Sequence, residues 1–285
     1  MYKGLSPYAI SVPVKSLEEA IAAARTGGFG GVEFNAQEVA TRVENDGPEA
    51  VKALFAAAGV LPAGWGLPVD WRGSEEAWWR GLTELPRLAR SAAAIGGTRT
   101  STWIMPASNN LDYAENWAFH VERFAPIATI LAEYGCALGL EFFGPKTLRD
   151  GQKYPFVFTL PKMVDLGQAI GPNVGLLLDC WHWYTSRGTV DDIRKLKPEQ
   201  VVYVHVNDAP AGVDVDSQID NTRALPGETG VIDIVGFLSA LREIGYDGPV
   251  TPEPFKKELA DLPDNDARLK TVGATMTSIF DLAGL

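Results

Sequence analysis

The sequence predicts one α/β domain over residues 1–285, a single (β/α)8 TIM barrel. Three observations predict it. Short apolar runs alternate with longer amphipathic segments along the whole chain, the rhythm of βα units on a parallel sheet. The length, 285 residues, is close to the roughly 250 of such a barrel. The residues after the first apolar run, Pro13, Val14 and Lys15, hold no GxGxxG turn, which disfavours a doubly wound dinucleotide-binding sheet.

The elements follow in order. Tyr8–Val12 reads as the first strand. Ser16–Arg25 reads as a helix because Ser16 is followed three residues later by Glu19, a capping box, and Gly27–Gly28 ends it. Gly31–Asn35 is the second strand, and Asp46–Ala58 a helix closed by Gly59. Pro62–Gly66 is the third strand, followed by a helix over Ser74–Ala94 that Gly96–Gly97 terminates. Arg99–Ile104 is the fourth strand, with helix Leu111–Tyr134 ending at Gly135. Ala137–Phe142 is the fifth strand, with helix Leu160–Ile170 ending at Gly171–Pro172. Val174–Asp179, helix Val190–Leu196, strand Val201–Val206 and helix Ile232–Ile244 come next. A turn at Gly245–Gly248 leads to the eighth strand, Pro249–Glu253, and a last helix, Asp264–Leu282.

Composition narrows the function. Hydrophobic residues are 46% and charged residues 21%, enough to bury a core. A net charge of −11, with no basic stripe denser than Lys256–Lys257 or Arg194–Lys195, argues against a nucleic-acid partner. No apolar run approaches the ~20 residues of a membrane span. The two cysteines, Cys136 and Cys180, fit buried free thiols in a reducing compartment. The first residues, MYKGLSPYAISVPVK, lack a signal-peptide pattern, so a cytoplasmic location is expected. There is neither a P-loop nor a nucleophile elbow.

The carboxyl ends of barrel strands form the active face. The fifth strand ends in Glu141, the sixth in Asp179, the seventh in His205 and the eighth in Glu253. Period-two alternation sets Glu141 above Gly139, Asp179 above Leu177, His205 above Tyr203 and Glu253 above Thr251 on one face. Three carboxylates brought that close would repel one another and some would be protonated, and a divalent cation removes the conflict. Mixed oxygen and nitrogen ligands suit Mn²⁺, Co²⁺, Mg²⁺ or Zn²⁺, with Mn²⁺ favoured.

The runs LGLEFFGP, LLLDCWHWY, VVYVHVND and VTPEPF resemble the xylose isomerase-like TIM barrels. That sugar phosphate isomerase/epimerase superfamily includes D-tagatose 3-epimerase and inosose dehydratase. LPGETGVID resembles its habitual segment before the seventh helix. The resemblance implies one divalent metal held by Glu141, Asp179, His205 and Glu253. It further implies that Glu141 and Glu253 are the acid/base pair that moves a proton through an enediolate stabilised by the ion. By the same resemblance His182 and Arg223 touch substrate. The implied substrate is a small carbohydrate, a ketose or related polyol. A lyase acting on a keto-inositol or keto-sugar is the alternative, since both reactions begin by removing a proton next to a carbonyl.

Further candidates rest on position. Lys146 follows Glu141 closely and is placed to reach a substrate oxygen. Trp65, Trp71, Trp103, Trp181 and Trp183 fall at strand ends, and Trp65 and Trp103 are assigned to sugar binding. Glu33 and Asn35 end the second strand. Asp208 is either a support for the ligands or the start of an Asx-turn. His120 sits in a helical pattern and reads as structural. The aperiodic stretch 207–230 is expected to cover substrate or to contact a second copy in a homo-oligomer. A type IV endonuclease, which needs a histidine-rich trinuclear site, is disfavoured by three histidines and the negative charge. A second metal is not expected. A non-catalytic binding barrel is the non-enzyme alternative.

Overall fold

The computed structural model describes residues 1–285. Eight parallel strands close a barrel in sequence order: β1 (Tyr2–Leu5), β2 (Gly31–Glu33), β3 (Leu61–Gly66), β4 (Arg99–Ile104), β5 (Ala137–Phe142), β6 (Val174–Asp179), β7 (Val201–Val206) and β8 (Pro249–Pro252), which returns to β1. Around them run α1 (Leu17–Gly27), α2 (Ala36–Asp46), α3 (Pro48–Ala58), α4 (Glu75–Ala94), α5 (Tyr113–Glu133), α6 (Leu160–Ile170), α7 (Cys180–Thr185), α8 (Val190–Arg194), α9 (Ile234–Glu243) and α10 (Asn265–Leu282). No helix is long and apolar enough to cross a membrane.

Side-chain caps set the helix starts. Ser16, Ser74, Asp112 and Asp264 each accept the backbone N–H three residues on, and at Asp112 the Glu115 side chain completes a capping box. Outward strand residues and inward helix residues share one core of 70 buried residues. Both cysteines are free and lie buried.

Three predicted elements change. The first strand is Tyr2–Leu5, and Tyr8–Ile10 is instead a 3-10 turn with Tyr8 on the surface. The segment that reads as more apolar follows Pro7 and runs into Ser11 at φ 57°, so it cannot pair as a strand. The helix expected over Asp46–Ala58 begins only at Pro48, after Gly47 at φ 82°, and a separate helix that was not expected, α2, precedes it. Its forerunner, α2, is capped by Asn35, whose side chain accepts from Glu38 N. The stretch after Asp179 is helical too, as α7, capped by Asp179 itself.

Two register shifts matter for the site. Val32 lies opposite Pro62 but Glu33 lies opposite Gly64, so β3 carries one extra residue. Leu176 lies opposite Val201 but Leu177 lies opposite Tyr203, so β7 carries another. Inside the barrel Ala63, Leu177 and Tyr203 form a small separate apolar layer against Tyr2.

Candidate metal centre

The second shift sets Asp179 directly opposite His205, with Thr251 of β8 on the other side of His205. Above the small inner layer the strand ends therefore carry their polar side chains inward. Glu141 lies opposite Trp103 of β4. Glu253 follows β8 and donates its N–H to Val206 O at 3.0 Å, which ties it to the end of β7. Glu141, Asp179, His205 and Glu253 each bring one ligand atom into a group whose members all lie within 4.8 Å of one another.

His205 Nδ1 stands 3.3 Å from Glu253 Oε2 and 3.8 Å from Glu141 Oε1. Glu141 Oε1 and His205 Nδ1 are buried without any hydrogen-bond partner. Buried polar atoms are normally satisfied, so two orphans facing each other among three carboxylates fit a bound cation. The two glutamates are driven apart electrostatically. Burial raises the Glu141 carboxyl above its usual range, His205 lowers it, and the Glu253 charge raises it again. Burial also pushes Glu253 up, but His205 and Arg223 hold it below the ordinary carboxylate value.

Other side chains orient the cluster. Asp179 accepts Trp181 N–H at 2.6 Å, Asn207 Nδ2 at 3.3 Å and Arg223 Nη1 at 2.8 Å. Arg223 Nη1 also donates to Glu253 Oε2 at 3.0 Å, and Nη2 donates to Asp220 at 2.9 Å. Burial opposes the Arg223 charge, yet Asp179, Glu253 and Asp220 outweigh it and keep the guanidinium protonated. His182 Nδ1 faces the Gly144 N–H at 3.3 Å, and the other ring nitrogen, Nε2, points into the cluster. That nitrogen lies 3.2 Å from Arg223 Nη2 and 3.9 Å from Glu141 Oε1. Burial pushes His182 down to about 3, so the ring is neutral. Gly144 is required here, because a Cβ would stand 2.1 Å from His182 O.

Aromatic rings wall the mouth. Trp103 stacks on Phe143 at 5.3 Å, Phe143 leans on His182 at 4.6 Å, and Arg72 covers Trp103 at 3.4 Å. Across from them Phe255, at φ 43°, meets Tyr8 edge-on. Backbone held in that region beside a functional cluster is stored strain. A cavity of about 280 Å³ opens between β1, β2 and β3, lined by Ser6, Tyr8, Glu33 and Gly66. A larger one, about 770 Å³, lies at the other end of the barrel between α6 and α8 and includes none of the cluster residues.

Not every sequence candidate reaches the mouth. The extra residue in β3 slips the alternation by one, so Trp65 turns outward, joins the outer core and donates to Gly97 O at 2.9 Å. Its assignment to sugar binding is thereby corrected. Lys146 is half-exposed and pairs with Asp150 at 2.8 Å, away from the cluster. Trp183 packs on Phe237 in the outer core. His120 is structural, its Nδ1 donating to Asn116 O at 2.7 Å among Trp71, Phe124 and Phe156. Asp208 is an anchor: it accepts the N–H groups of Ala209, Thr229, Gly230 and Ile232, while its backbone pairs with Ala224. Sequence reasoning missed Asn207, Phe143 and Phe255, and placed Asp220 only in the loop expected to cover substrate. Asn207 was within reach of it, since alternation from His205 points residue 207 inward.

A parallel barrel with a metal-competent cluster at its carboxyl-terminal mouth defines a class of proteins. The chain belongs to the xylose isomerase-like TIM barrel family, whose model matches residues 21–273. It is similar to a xylose isomerase domain protein from Alicyclobacillus acidocaldarius, at 32% identity over 99% of both chains and a TM-score of 0.86. It is 29% identical over 160 residues to inosose isomerase of Halalkalibacterium halodurans, which is 56% of this chain and 53% of that protein. A shorter stretch of 89 residues is 34% identical to 3-dehydroshikimate dehydratase of Pseudomonas putida, 31% of this chain and 14% of that one. The matched stretch is thus about half the length of the inosose isomerase.

Proposed function

We propose that the protein is a divalent-metal-dependent isomerase or epimerase of a small carbohydrate, a ketose or related polyol, with Glu141 and Glu253 as its acid/base pair. The observation that carries this reading is the convergence of Glu141, Asp179, His205 and Glu253 within 4.8 Å, two of their buried atoms unsatisfied. These four residues would hold the ion, with Mn²⁺ favoured over Co²⁺, Mg²⁺ or Zn²⁺. A divalent cation there supplies Lewis-acid stabilisation of the negative charge that develops when a proton leaves carbon beside a carbonyl.

The chain's own groups do the rest. Glu141 and Glu253 come from strands three apart in the ring, so a substrate between them presents a carbon to one carboxylate on each side. One removes the proton and the other returns it. Arg223 donates hydrogen bonds to hydroxyl or carbonyl oxygens, and His182 Nε2 hydrogen-bonds a substrate hydroxyl beside it. Trp103 offers an aromatic face to the apolar side of a sugar and, with Phe143, keeps water away. Similarity to an inosose isomerase supports the reaction class.

A lyase is the second reading, favoured by the local similarity to a dehydratase. Incubation with Mn²⁺ and a panel of ketoses and keto-inositols in D₂O tests both. Deuterium incorporated at carbon without loss of water supports the isomerase. Loss of water identifies the lyase, and no exchange on any substrate overturns the shared proton-abstraction step.

A further inference from the structure

Strand β2 ends on a carboxylate that stands outside the four-residue cluster. Glu33 Oε1 lies 3.9 Å from His205 Nε2. Its side chain stays 30% exposed on the wall of the 280 Å³ cavity. Glycines clear the space around it. Beneath it is Gly31, where a Cβ would meet the Tyr2 ring at 2.5 Å, and opposite it is Gly64, where a Cβ would meet the Tyr203 ring at 2.7 Å.

The two nitrogens of His205 therefore face different groups. Nδ1 looks at Glu141 and Glu253, and Nε2 looks at Glu33. An imidazole that offers its lone pair through Nδ1 must carry its proton on Nε2. A carboxylate at that second nitrogen selects this tautomer, fixes the ring and makes the ligating nitrogen more basic. Tyr203 does not compete for the role: its ring packs edge-on against His205 at 5.5 Å while its hydroxyl bonds Thr251 Oγ1 at 2.9 Å.

We propose that Glu33 is a positioning residue that holds His205 with Nε2 protonated and Nδ1 presented to the ion, and so sets how tightly the cluster binds a divalent cation. The inference rests on the metal reading given above. Its test compares wild type, Glu33→Ala and Glu33→Gln, with Glu141→Gln as a control for loss of a ligand. Mn²⁺ affinity is read by titration calorimetry. The nitrogen through which His205 ligates is read by ¹⁵N NMR with diamagnetic Zn²⁺. Glu33→Ala is expected to weaken Mn²⁺ binding by roughly 10–100-fold at unchanged stoichiometry and unchanged urea midpoint, and to mix Nδ1 and Nε2 ligation in the Zn²⁺ form. Glu33→Gln, which keeps an acceptor oxygen, is expected to lose less. Wild-type Mn²⁺ affinity in Glu33→Ala overturns this inference alone, and a raised KM in that variant would then assign Glu33 to substrate. Absence of Mn²⁺ binding by wild type overturns the metal reading and this inference with it.

Discussion

The barrel wall separates two interiors built on opposite rules. Outside it, strands and helices bury a continuous apolar core of 70 residues. Inside it, a layer of only three buried apolar residues supports a tier of charged side chains. The same segments supply both. On β6 Leu176 and Leu178 face the helices while Leu177 and Asp179 face inward, and on β7 Val204 and Val206 oppose Tyr203 and His205. Strand alternation thus writes stability and chemistry on alternate residues of one peptide, so a change to either set should leave the other nearly intact.

The sharpest test lies at the mouth. Glu141→Gln or Glu253→Gln is expected to lower turnover by about 10²–10⁴-fold or more, with the urea midpoint almost unmoved. Full activity in either variant would remove the two-carboxylate proposal. The converse change belongs to the outer core. Phe124→Ala should cost about 3–5 kcal/mol in urea denaturation, because Phe124 is wholly buried, while Mn²⁺ stoichiometry stays the same. A third effect is acid lability of the apolar side. Burial pushes His120 down to about 4, so the folded state resists the proton that the unfolded chain takes up near 6.5. Its contribution is complete above pH 6.5 and fades as the pH falls toward 4, on the order of 3 kcal/mol. Denaturation of wild type and His120→Phe at pH 7 and pH 4 checks this, and an equal pH dependence in the two refutes it. The smallest effect is that of the ion. At a free Mn²⁺ concentration of 100 Kd the folded state should gain about 2.7 kcal/mol, lost on adding chelator and absent in Glu141→Gln if that residue is a ligand.

The comparison also explains what the sequence made legible. Strands β4 to β7 coincide with their predicted spans, because each is a long run bounded by turn residues. β1 escaped notice because its identity is not local. Lys3 and Gly4 look unlike a strand, yet their backbone is held by β8 on one side and β2 on the other. The quartet was legible because four consecutive strand ends share one register rule. Trp65 was misassigned for the complementary reason: an extra residue in β3 reverses the rule, and the bulge signal there, Gly64 inside the strand, went unread. Lys146 shows that nearness in sequence to Glu141 says nothing of direction. Arg223, in a stretch without periodicity, was visible only through family resemblance. Phe255 closed the VTPEPF motif and Asp220 lay in the aperiodic loop, but neither position carried a periodic signal.

Asp208 gathers four backbone amides with a single carboxylate and so knots both ends of the 207–230 loop to the barrel rim. Arg223 sits one residue from that knot, whereas residues 211–217 lie outside it, mostly exposed. The middle of the loop is therefore an exchangeable cassette on a fixed frame. Evolution or an engineer can redraw it while the Arg223 guanidinium, held by Asp179, Asp220 and Glu253, stays where it is.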